Sequence, residues 1–218
     1  MVRVSEDGNE ESLYHTCDFL INANGHYSLK NIPDLPGIKD YTGQQLHMHD
    51  LRHIGDIKAE KVLVAGVSYG AADLIGQLLN DFPHNFKSMV VCGKVDLISK
   101  SPELASFLDS GKLELKPFIK HFKGGQRVEF EDSSELDDVD LVLWATGYQS
   151  CFPYFEQTGD SLFHGLLDIY CRRKSVVGSN GSKSLGPLFL HCVSAREPSL
   201  MFGGLVENTD ANGFMNSL

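Results

Sequence analysis

The sequence predicts an α/β fold, and three features predict it. Residues 61–66 are a short, β-branched run closed by glycine, which is typical of a buried strand. Residues 71–80 place apolar side chains at helical spacing ahead of Pro83, and 88–92 form a second apolar strand. A strand, a helix and a strand in this order form a right-handed unit with parallel strands. Residues 140–147 then supply a further buried strand that ends in glycine.

The remaining elements follow from the same patterns of apolar spacing and turn residues. They are a buried strand at 17–25, an extended segment with two prolines at 32–37, a short helix at 102–110, a hairpin formed by 118–122 and 127–130, a solvated turn at 131–140 and a last strand at 187–193.

The composition excludes several classes of protein. Of the 218 residues, 42% are hydrophobic and 22% charged, so the chain can bury a core without disulfides. The net charge of −10 argues against a nucleic-acid partner, because such a protein needs a basic face. No apolar stretch reaches the ~18 residues of a membrane helix, so we expect no membrane span. Five widely spaced cysteines and the lack of a secretory signal favour a cytoplasmic location.

The turn after the strand at 61–66 carries the clearest binding signal. The Rossmann fingerprint Gly-x-Gly-x-x-Gly/Ala joins a strand to a helix, and its second glycine lets the backbone approach a diphosphate. Gly66 and Ala71 match its first and third positions, Ser68 stands at the second, and Gly70 lies beside the third. We expect these four residues to contact a dinucleotide, with Ser68 weakening the contact. The alternative is a glycine-containing turn that binds nothing.

The end of the next strand bears on which dinucleotide would bind. An NAD site places Asp or Glu there to hold the ribose hydroxyls. Here Lys94 follows the strand, and a cation suits a 2′-phosphate. The position therefore favours NADP(H), although a solvated surface lysine would give the same pattern and Asp96 lies close by.

Two short segments echo each other along the chain. Asn24 and Gly25 follow an apolar run and an alanine, and Thr146 and Gly147 do the same. Glycine at such positions lets the backbone lie against a flat ligand or a neighbouring domain. With the Gly66 turn between the two copies, this arrangement predicts two crossings between the halves of a protein that binds two dinucleotides.

Three histidines, His47, His49 and His53, lie close together in sequence. His47 and His49 alternate as on a strand and would share a face, but no further ligand stands at a defined spacing. We therefore predict local hydrogen bonding and no metal site. No Ser/His/Asp or Cys/His arrangement stands out either, so the sequence leaves the catalytic residues unknown.

Several of these motifs occur in the order found in one family. Tyr41-x-Gly43-x-x-x-His47-x-x-x-Leu51 is similar to the identifying pattern Phe-x-Gly-x-x-x-His-x-x-x-Phe/Tyr, with Leu51 in place of the closing aromatic. The segments 23–37, 61–73, 140–154 and 198–205 match in the same order. By these motifs the sequence resembles the flavin-containing monooxygenase family, from about residue 17 onward.

The resemblance implies an NADPH- and FAD-dependent monooxygenase that oxygenates nitrogen or sulfur in small molecules. It implies a Rossmann-like NADP-binding domain at 33–140, inserted into a partial FAD/NAD(P)-binding domain made of 1–32 and 141–218. Asn24, Gly25, Thr146 and Gly147 would then face the junction of flavin and nicotinamide. The family's N-terminal Gly-x-Gly-x-x-Gly segment, which holds the FAD diphosphate, has no counterpart in this sequence.

That missing segment leaves a second hypothesis open. The chain would be an inactive truncated homologue, or a fragment of an incomplete gene model, that at most binds NADP(H). A flavin disulfide reductase would share the two Ala-Thr/Asn-Gly crossings, but the sequence has no redox pair of cysteines. The substrate and the oligomeric state do not follow from the sequence.

Overall fold

The computed structural model describes residues 2–4, 13–25, 27, 29–82, 84–93, 102–149, 168–171 and 183–204. Its strands are β1 (Val2–Val4), β2 (Leu13–His15), β3 (Leu20–Asn22), β4 (Leu29–Lys30), β5 (Gln44–His47), β6 (Lys61–Ala65), β7 (Ser88–Cys92), β8 (Leu113–Lys116), β9 (Ile119–Phe122), β10 (Val128–Phe130), β11 (Glu135–Leu136), β12 (Leu141–Trp144), β13 (Tyr148–Gln149), β14 (Asp168–Cys171), β15 (Lys183–Gly186), β16 (Leu188–Phe189), β17 (Val193–Ser194) and β18 (Leu200–Phe202). The α-helices described are α1 (Tyr69–Asp81) and α2 (Pro102–Asp109), and short 3₁₀ helices span Ile38–Asp40, Met48–Asp50 and Ile54–Asp56.

The chain divides into two compact units. Unit 2 contains the described residues between 30 and 148, and unit 1 contains the described residues before and after them. Unit 2 extends to Tyr148, beyond the boundary at 140 expected from the sequence, because β12 is hydrogen bonded between two other strands of this unit. The strand 141–144 therefore belongs with the Rossmann-like part of the chain.

Unit 2 is built around a parallel five-stranded sheet. Its strand order is β5-β12-β6-β7-β8. The chain runs from β6 through α1 to β7 and on to β8 in one direction, whereas β12 lies on the other side of β6. The strand order therefore reverses between β6 and β12. The predicted strands at 61–66, 88–92 and 140–147 and the helix at 71–80 are all confirmed.

The two faces of this sheet are buried by different layers. Val62 and Val64 pack with apolar residues of α1 and α2, while Leu63 and Ala65 pack toward the antiparallel sheet β9-β10-β11. Alternate side chains of a strand point to opposite faces, so a strand that is buried on both faces needs a continuous apolar run. This explains why β6 has no polar position between Val62 and Ala65.

The antiparallel layer holds the aromatic part of the core. Tyr41, Phe122 and Trp144 form successive ring contacts with centroid distances of 5.2 and 6.2 Å. The Tyr41 hydroxyl donates a hydrogen bond to the Val139 carbonyl at 2.7 Å, and burial raises the pKa of this phenol. The Nε1 of Trp144 donates to Oε1 of Gln45 at 3.1 Å. Each buried polar tip in this cluster therefore has a partner.

The predicted hairpin at 118–130 is confirmed by β9 and β10, which pair antiparallel. The prediction of a solvated turn at 131–140 is wrong in part, because β11 (Glu135–Leu136) lies within it and pairs with β10. Leu136 is the one apolar residue of β11, so the apolar signal for this strand was too short to detect.

Unit 1 contains a four-stranded sheet of order β16-β17-β18-β3 and the antiparallel pairs β1–β2 and β14–β15. In the sheet, β3 pairs parallel with β18. The expected buried strand at 17–25 is short and largely exposed, with 66% of Ile21 and 64% of Phe19 accessible. The expected single strand at 187–193 is broken by a turn, where Leu190 and His191 have positive φ angles of 51° and 59°.

None of the helices in the described parts of the chain is long and apolar enough to cross a membrane.

Candidate functional site

The carboxyl ends of the five parallel strands meet along one edge of the unit 2 sheet. In open α/β sheets, ligands bind beyond this edge at the point where the strand order reverses. That point lies here between the ends of β6 and β12. Gly66 follows β6 directly, and residues 145–147 follow β12, so the two predicted glycine motifs of this unit lie at the same place in the sheet.

Gly66 makes a turn that other residues would strain. Its φ angle is +111°, and a Cβ atom at this position would lie 2.5 Å from the Ala145 carbonyl oxygen. The Gly66 N–H donates to the Cys92 carbonyl at 3.0 Å, which ties the turn to the end of β7. The turn formed by residues 66–68, here called the Gly66 turn, is therefore fixed by backbone contacts on two sides.

Ser68 caps helix α1. Its Oγ accepts a hydrogen bond from the Ala71 N–H at 3.1 Å, and its backbone is extended, as expected of an N-cap residue. The other N–H groups of the first helical turn have no partner within the helix and could meet an anion. Ser68 at the second fingerprint position thus has a structural role, which the sequence comparison with glycine did not anticipate.

The two other predicted residues of this turn differ in burial. Ala71 is fully buried between α1 and the sheet, which agrees with close helix-to-strand packing at the third fingerprint position. Gly70 is exposed, and the nearest atom to a Cβ built on it is Cε of Met48 at 3.7 Å. Gly70 therefore leaves open space beside the start of the helix.

The end of β7 continues this edge of the sheet. Gly93 has a φ angle of +134°, and a Cβ atom there would lie 3.4 Å from the Val67 side chain. The Gly93 N–H donates to the Lys116 carbonyl at 3.1 Å, and the Lys116 ammonium is paired with Glu114 at 2.8 Å. Lys94 lies outside the described residues, so its predicted contact with a 2′-phosphate stays a prediction.

Thr146 and Gly147 are held by Asn31, a residue that the sequence did not single out. The Asn31 N–H donates to the Gly147 carbonyl at 3.0 Å, and its side-chain Nδ2 donates to the Thr146 carbonyl at 3.2 Å. The Thr146 hydroxyl donates in return to the Asn31 carbonyl. No local signal predicts these bonds, because the partners are far apart in sequence.

His47 contacts the same segment. Its Nδ1 accepts from the His49 N–H at 3.1 Å, and its Nε2 lies 3.0 Å from the Gly147 carbonyl oxygen. Burial lowers the pKa of His47, and the bond to Gly147 only partly offsets this effect. His47 and His49 do not continue one strand, because His49 lies in a 3₁₀ helix, but both rings meet the Tyr148 ring edge-on.

Comparison with known proteins indicates the family and the fold of this chain. Residues 81–176 match the family model described as flavin-binding monooxygenase-like. The trimethylamine monooxygenase of Methylocella silvestris is 32% identical over 150 residues, which cover 68% of this chain and 31% of that protein. The senecionine N-oxygenase of Tyria jacobaeae is 24% identical over 189 residues, which cover 87% and 36%.

The chain belongs to the flavin-containing monooxygenase family. The crystal structure of Tmm from Pelagibacter sp. strain HTCC7211 has the same fold, with a TM-score of 0.65 and 21% identity over 93% of this chain and 40% of that one. The chain spans about a third of the length of the curated relatives that it matches.

Asn24 and Gly25 lie in unit 1, after β3. The Asn24 N–H donates to Oδ1 of Asn22 at 3.2 Å. Gly25 has a φ angle of +72°, and a Cβ built on it would meet no atom within 4 Å. Both residues are exposed, and their predicted place beside a flavin stays a prediction.

Cys92 borders the Gly66 turn, because its carbonyl accepts the hydrogen bond from the Gly66 N–H. Its side chain is buried, and burial raises the pKa of the thiol to about 12. A thiol at neutral pH is a poor nucleophile. Cys92 therefore packs between the parallel sheet and the antiparallel layer, and its thiol is not activated.

Proposed function

We propose that this chain binds NADP(H) at the Gly66 turn as part of a flavin-dependent monooxygenase. The observation that supports this proposal most directly is the position of Gly66. It lies where the strand order of the parallel sheet reverses, directly before a capped helix, and it has no room for a Cβ atom. This is the arrangement in which a dinucleotide diphosphate meets backbone N–H groups and a helix N-terminus.

The fit is good at four of the predicted contact positions. Gly66 provides the tight turn, Ser68 and Ala71 fix the start of α1, and Gly70 leaves the space beside it open. Lys94, following β7, would meet the 2′-phosphate that distinguishes NADP(H) from NAD(H). The bound NADPH would supply hydride to a flavin, and the protein would supply binding and orientation.

The proposed substrates are small molecules with a nitrogen or sulfur nucleophile. This proposal follows from the family and from relatives whose names describe a trimethylamine monooxygenase and a senecionine N-oxygenase. We propose FAD as the second cofactor, with Asn24, Gly25, Thr146 and Gly147 near the junction of the two cofactors.

A second candidate function is NADP(H) binding without oxygenation. Of the two described helices, α1 is the one that directly follows a strand and a glycine turn. Two dinucleotides would each need such a cradle. A chain with one cradle would bind NADP(H) and leave FAD unbound.

Calorimetric titration of the chain with NADP⁺ and NAD⁺ tests the nucleotide site. Gly70→Asp places a carboxylate in the open space at the helix start, where it would repel a diphosphate but suits the helix dipole. We expect this variant to bind NADP⁺ at least about tenfold more weakly, which corresponds to roughly 1.4 kcal/mol. Gln77→Glu, at an exposed position farther along α1, makes the same change in charge and should bind as the unmodified chain does. Equal affinity of Gly70→Asp and the unmodified chain would contradict the site.

The oxygenation part needs a separate measurement. The chain is mixed with FAD, and flavin retained after gel filtration is measured by its visible absorbance. Oxygen consumption is then followed with NADPH and trimethylamine. Retained flavin with amine-dependent oxygen uptake supports the monooxygenase, whereas NADP⁺ binding without either supports the second candidate.

A further inference from the structure

Both ring nitrogens of His47 are committed to backbone groups. The His49 N–H can only donate, so Nδ1, at 3.1 Å, must carry a lone pair. The other nitrogen, Nε2, therefore carries the hydrogen and donates it to the Gly147 carbonyl at 3.0 Å. The neutral Nε2–H tautomer is the one form of the ring that satisfies both contacts.

The carbonyl that His47 contacts is a shared point of the segment 145–147. The Gly147 oxygen accepts from the Asn31 N–H and from His47, each at 3.0 Å. Asn31 also contacts the carbonyl and the hydroxyl of Thr146. The position of the segment after β12 thus depends on these two residues.

The segment in turn lies against the Gly66 turn, with backbone touching backbone. A Cβ on Gly66 would lie 2.5 Å from the Ala145 oxygen and 3.2 Å from the Thr146 nitrogen. The Ala145 N–H donates to the Ala65 carbonyl at 2.8 Å, directly before the turn. A shift of residues 145–147 would therefore move a wall of the turn, because no side chain lies between them to absorb it.

We propose that His47, as the neutral Nε2–H tautomer, is a positioning residue that sets the nucleotide affinity of the Gly66 turn through the segment 145–147. This inference rests on the proposed function. A proton on Nδ1 would face the His49 N–H, donor against donor, and would displace the ring from its place between His49 and Gly147. Nucleotide binding should therefore weaken as His47 becomes protonated.

The groups around the His47 ring determine the pH at which nucleotide affinity is lost. Lys30 and Asp50 form an ion pair at 2.7 Å beside it, His49 follows two residues later, and Tyr148 contacts the ring. Asp50 favours the protonated ring, whereas Lys30 and His49 disfavour it. Burial is the largest influence and lowers the pKa of His47, so the loss of affinity lies below the ordinary histidine range.

The test is a series of NADP⁺ titrations of the full chain between about pH 5 and 8. A single linked proton predicts a loss of affinity of up to tenfold per pH unit below the pKa of His47. In His47→Gln, the amide can donate to Gly147 and accept from His49 but cannot titrate. This variant should keep the affinity measured at high pH and retain only the pH dependence of the nucleotide phosphate.

A matched control is His53→Gln. His53 is an exposed histidine six residues after His47, and this variant should keep the full pH dependence. His47→Leu, which can make neither bond, should bind NADP⁺ weakly at every pH, and circular dichroism would show whether it is folded. Identical pH profiles for the unmodified chain and His47→Gln would overturn the inference while leaving the nucleotide site intact. No NADP⁺ binding at any pH would overturn the proposed function and this inference together.

Discussion

The backbone of Gly66 lies directly against the carbonyl of Ala145. A Cβ atom added to Gly66 would come within 2.5 Å of that oxygen, and the φ angle of +111° is one that side chains rarely adopt. The start of the candidate nucleotide turn and the end of β12 are therefore fitted to each other, and this contact depends on glycine.

Gly66→Ala should lower the stability of unit 2. Strain at a positive φ angle costs roughly 1–3 kcal/mol, and the contact with Ala145 adds to it. Gly70→Ala, at an open position in the first turn of α1, should be neutral or gain up to about 1 kcal/mol. Urea unfolding followed by the fluorescence of Trp144, the one tryptophan of the chain, measures both. Equal stability of the two variants would contradict the contact.

Ser68 separates helix capping from nucleotide binding. Ser68→Ala removes the bond to the Ala71 N–H and should cost about 1 kcal/mol of stability, whereas Ser68→Gly should cost only a few tenths. Ser68→Gly also removes the Cβ atom from the position where a diphosphate approaches, so we expect tighter NADP⁺ binding. Urea unfolding and calorimetry on the two variants test this pair of effects. Weaker binding by Ser68→Gly would show that the hydroxyl itself contacts the nucleotide.

His47 should make stability depend on pH. Its pKa is lower in the folded chain than in the unfolded chain, so the unfolded chain binds the proton more readily. The contribution of His47 to the free energy of unfolding is therefore largest above about pH 6.5 and falls as the pH drops below this value. Denaturation at a series of pH values should show this fall in the unmodified chain and in His53→Gln, and a smaller one in His47→Gln.

Glu129 should control stability in acid. Lys120 donates to its carboxylate at 2.7 Å and Lys123 lies at 3.1 Å, which together lower the pKa of Glu129 to about 2. The stability from this carboxylate is present above the ordinary glutamate pKa and is lost as the pH falls from about 4.5 toward 2.

Acid unfolding of Glu129→Gln and Glu131→Gln tests this. Glu129→Gln should be less stable than the unmodified chain at neutral pH and should lose less stability on acidification. Glu131→Gln, at an exposed position one residue beyond β10, should behave as the unmodified chain does. An unchanged acid profile of Glu129→Gln would show that the lysine pairs do not persist in solution.

Local patterns predicted the elements whose stability is local. The strand β6 and the helix α1 have apolar residues at the spacing that their burial requires, and β6 ends directly before Gly66. The strand β11 was not predicted, because its pairing with β10 provides the order and only Leu136 is apolar and packed. The turn at Leu190 and His191 was missed because neither residue is a glycine, although both have positive φ angles.

In the candidate site too, local patterns identified some residues, whereas residues with distant partners were missed. The sequence identified Gly66, and the structure places it at the reversal point of the sheet. The role of His47 could not be derived from spacing, because its partner Gly147 lies 100 residues away along the chain. Asn31 carried no signal at all, since a single asparagine after a short strand is common in loops.

The parallel pairing of β3 with β18 has a consequence for the order of folding. Leu20 donates its N–H to Ser199, and Met201 lies opposite Ile21, so this sheet joins segments that are made early and late. During synthesis, β3 cannot pair with β18 until the chain has been made as far as Phe202. The five-stranded sheet of unit 2 needs the chain only as far as Trp144. Unit 2 can therefore fold during synthesis, and the sheet of unit 1 closes later.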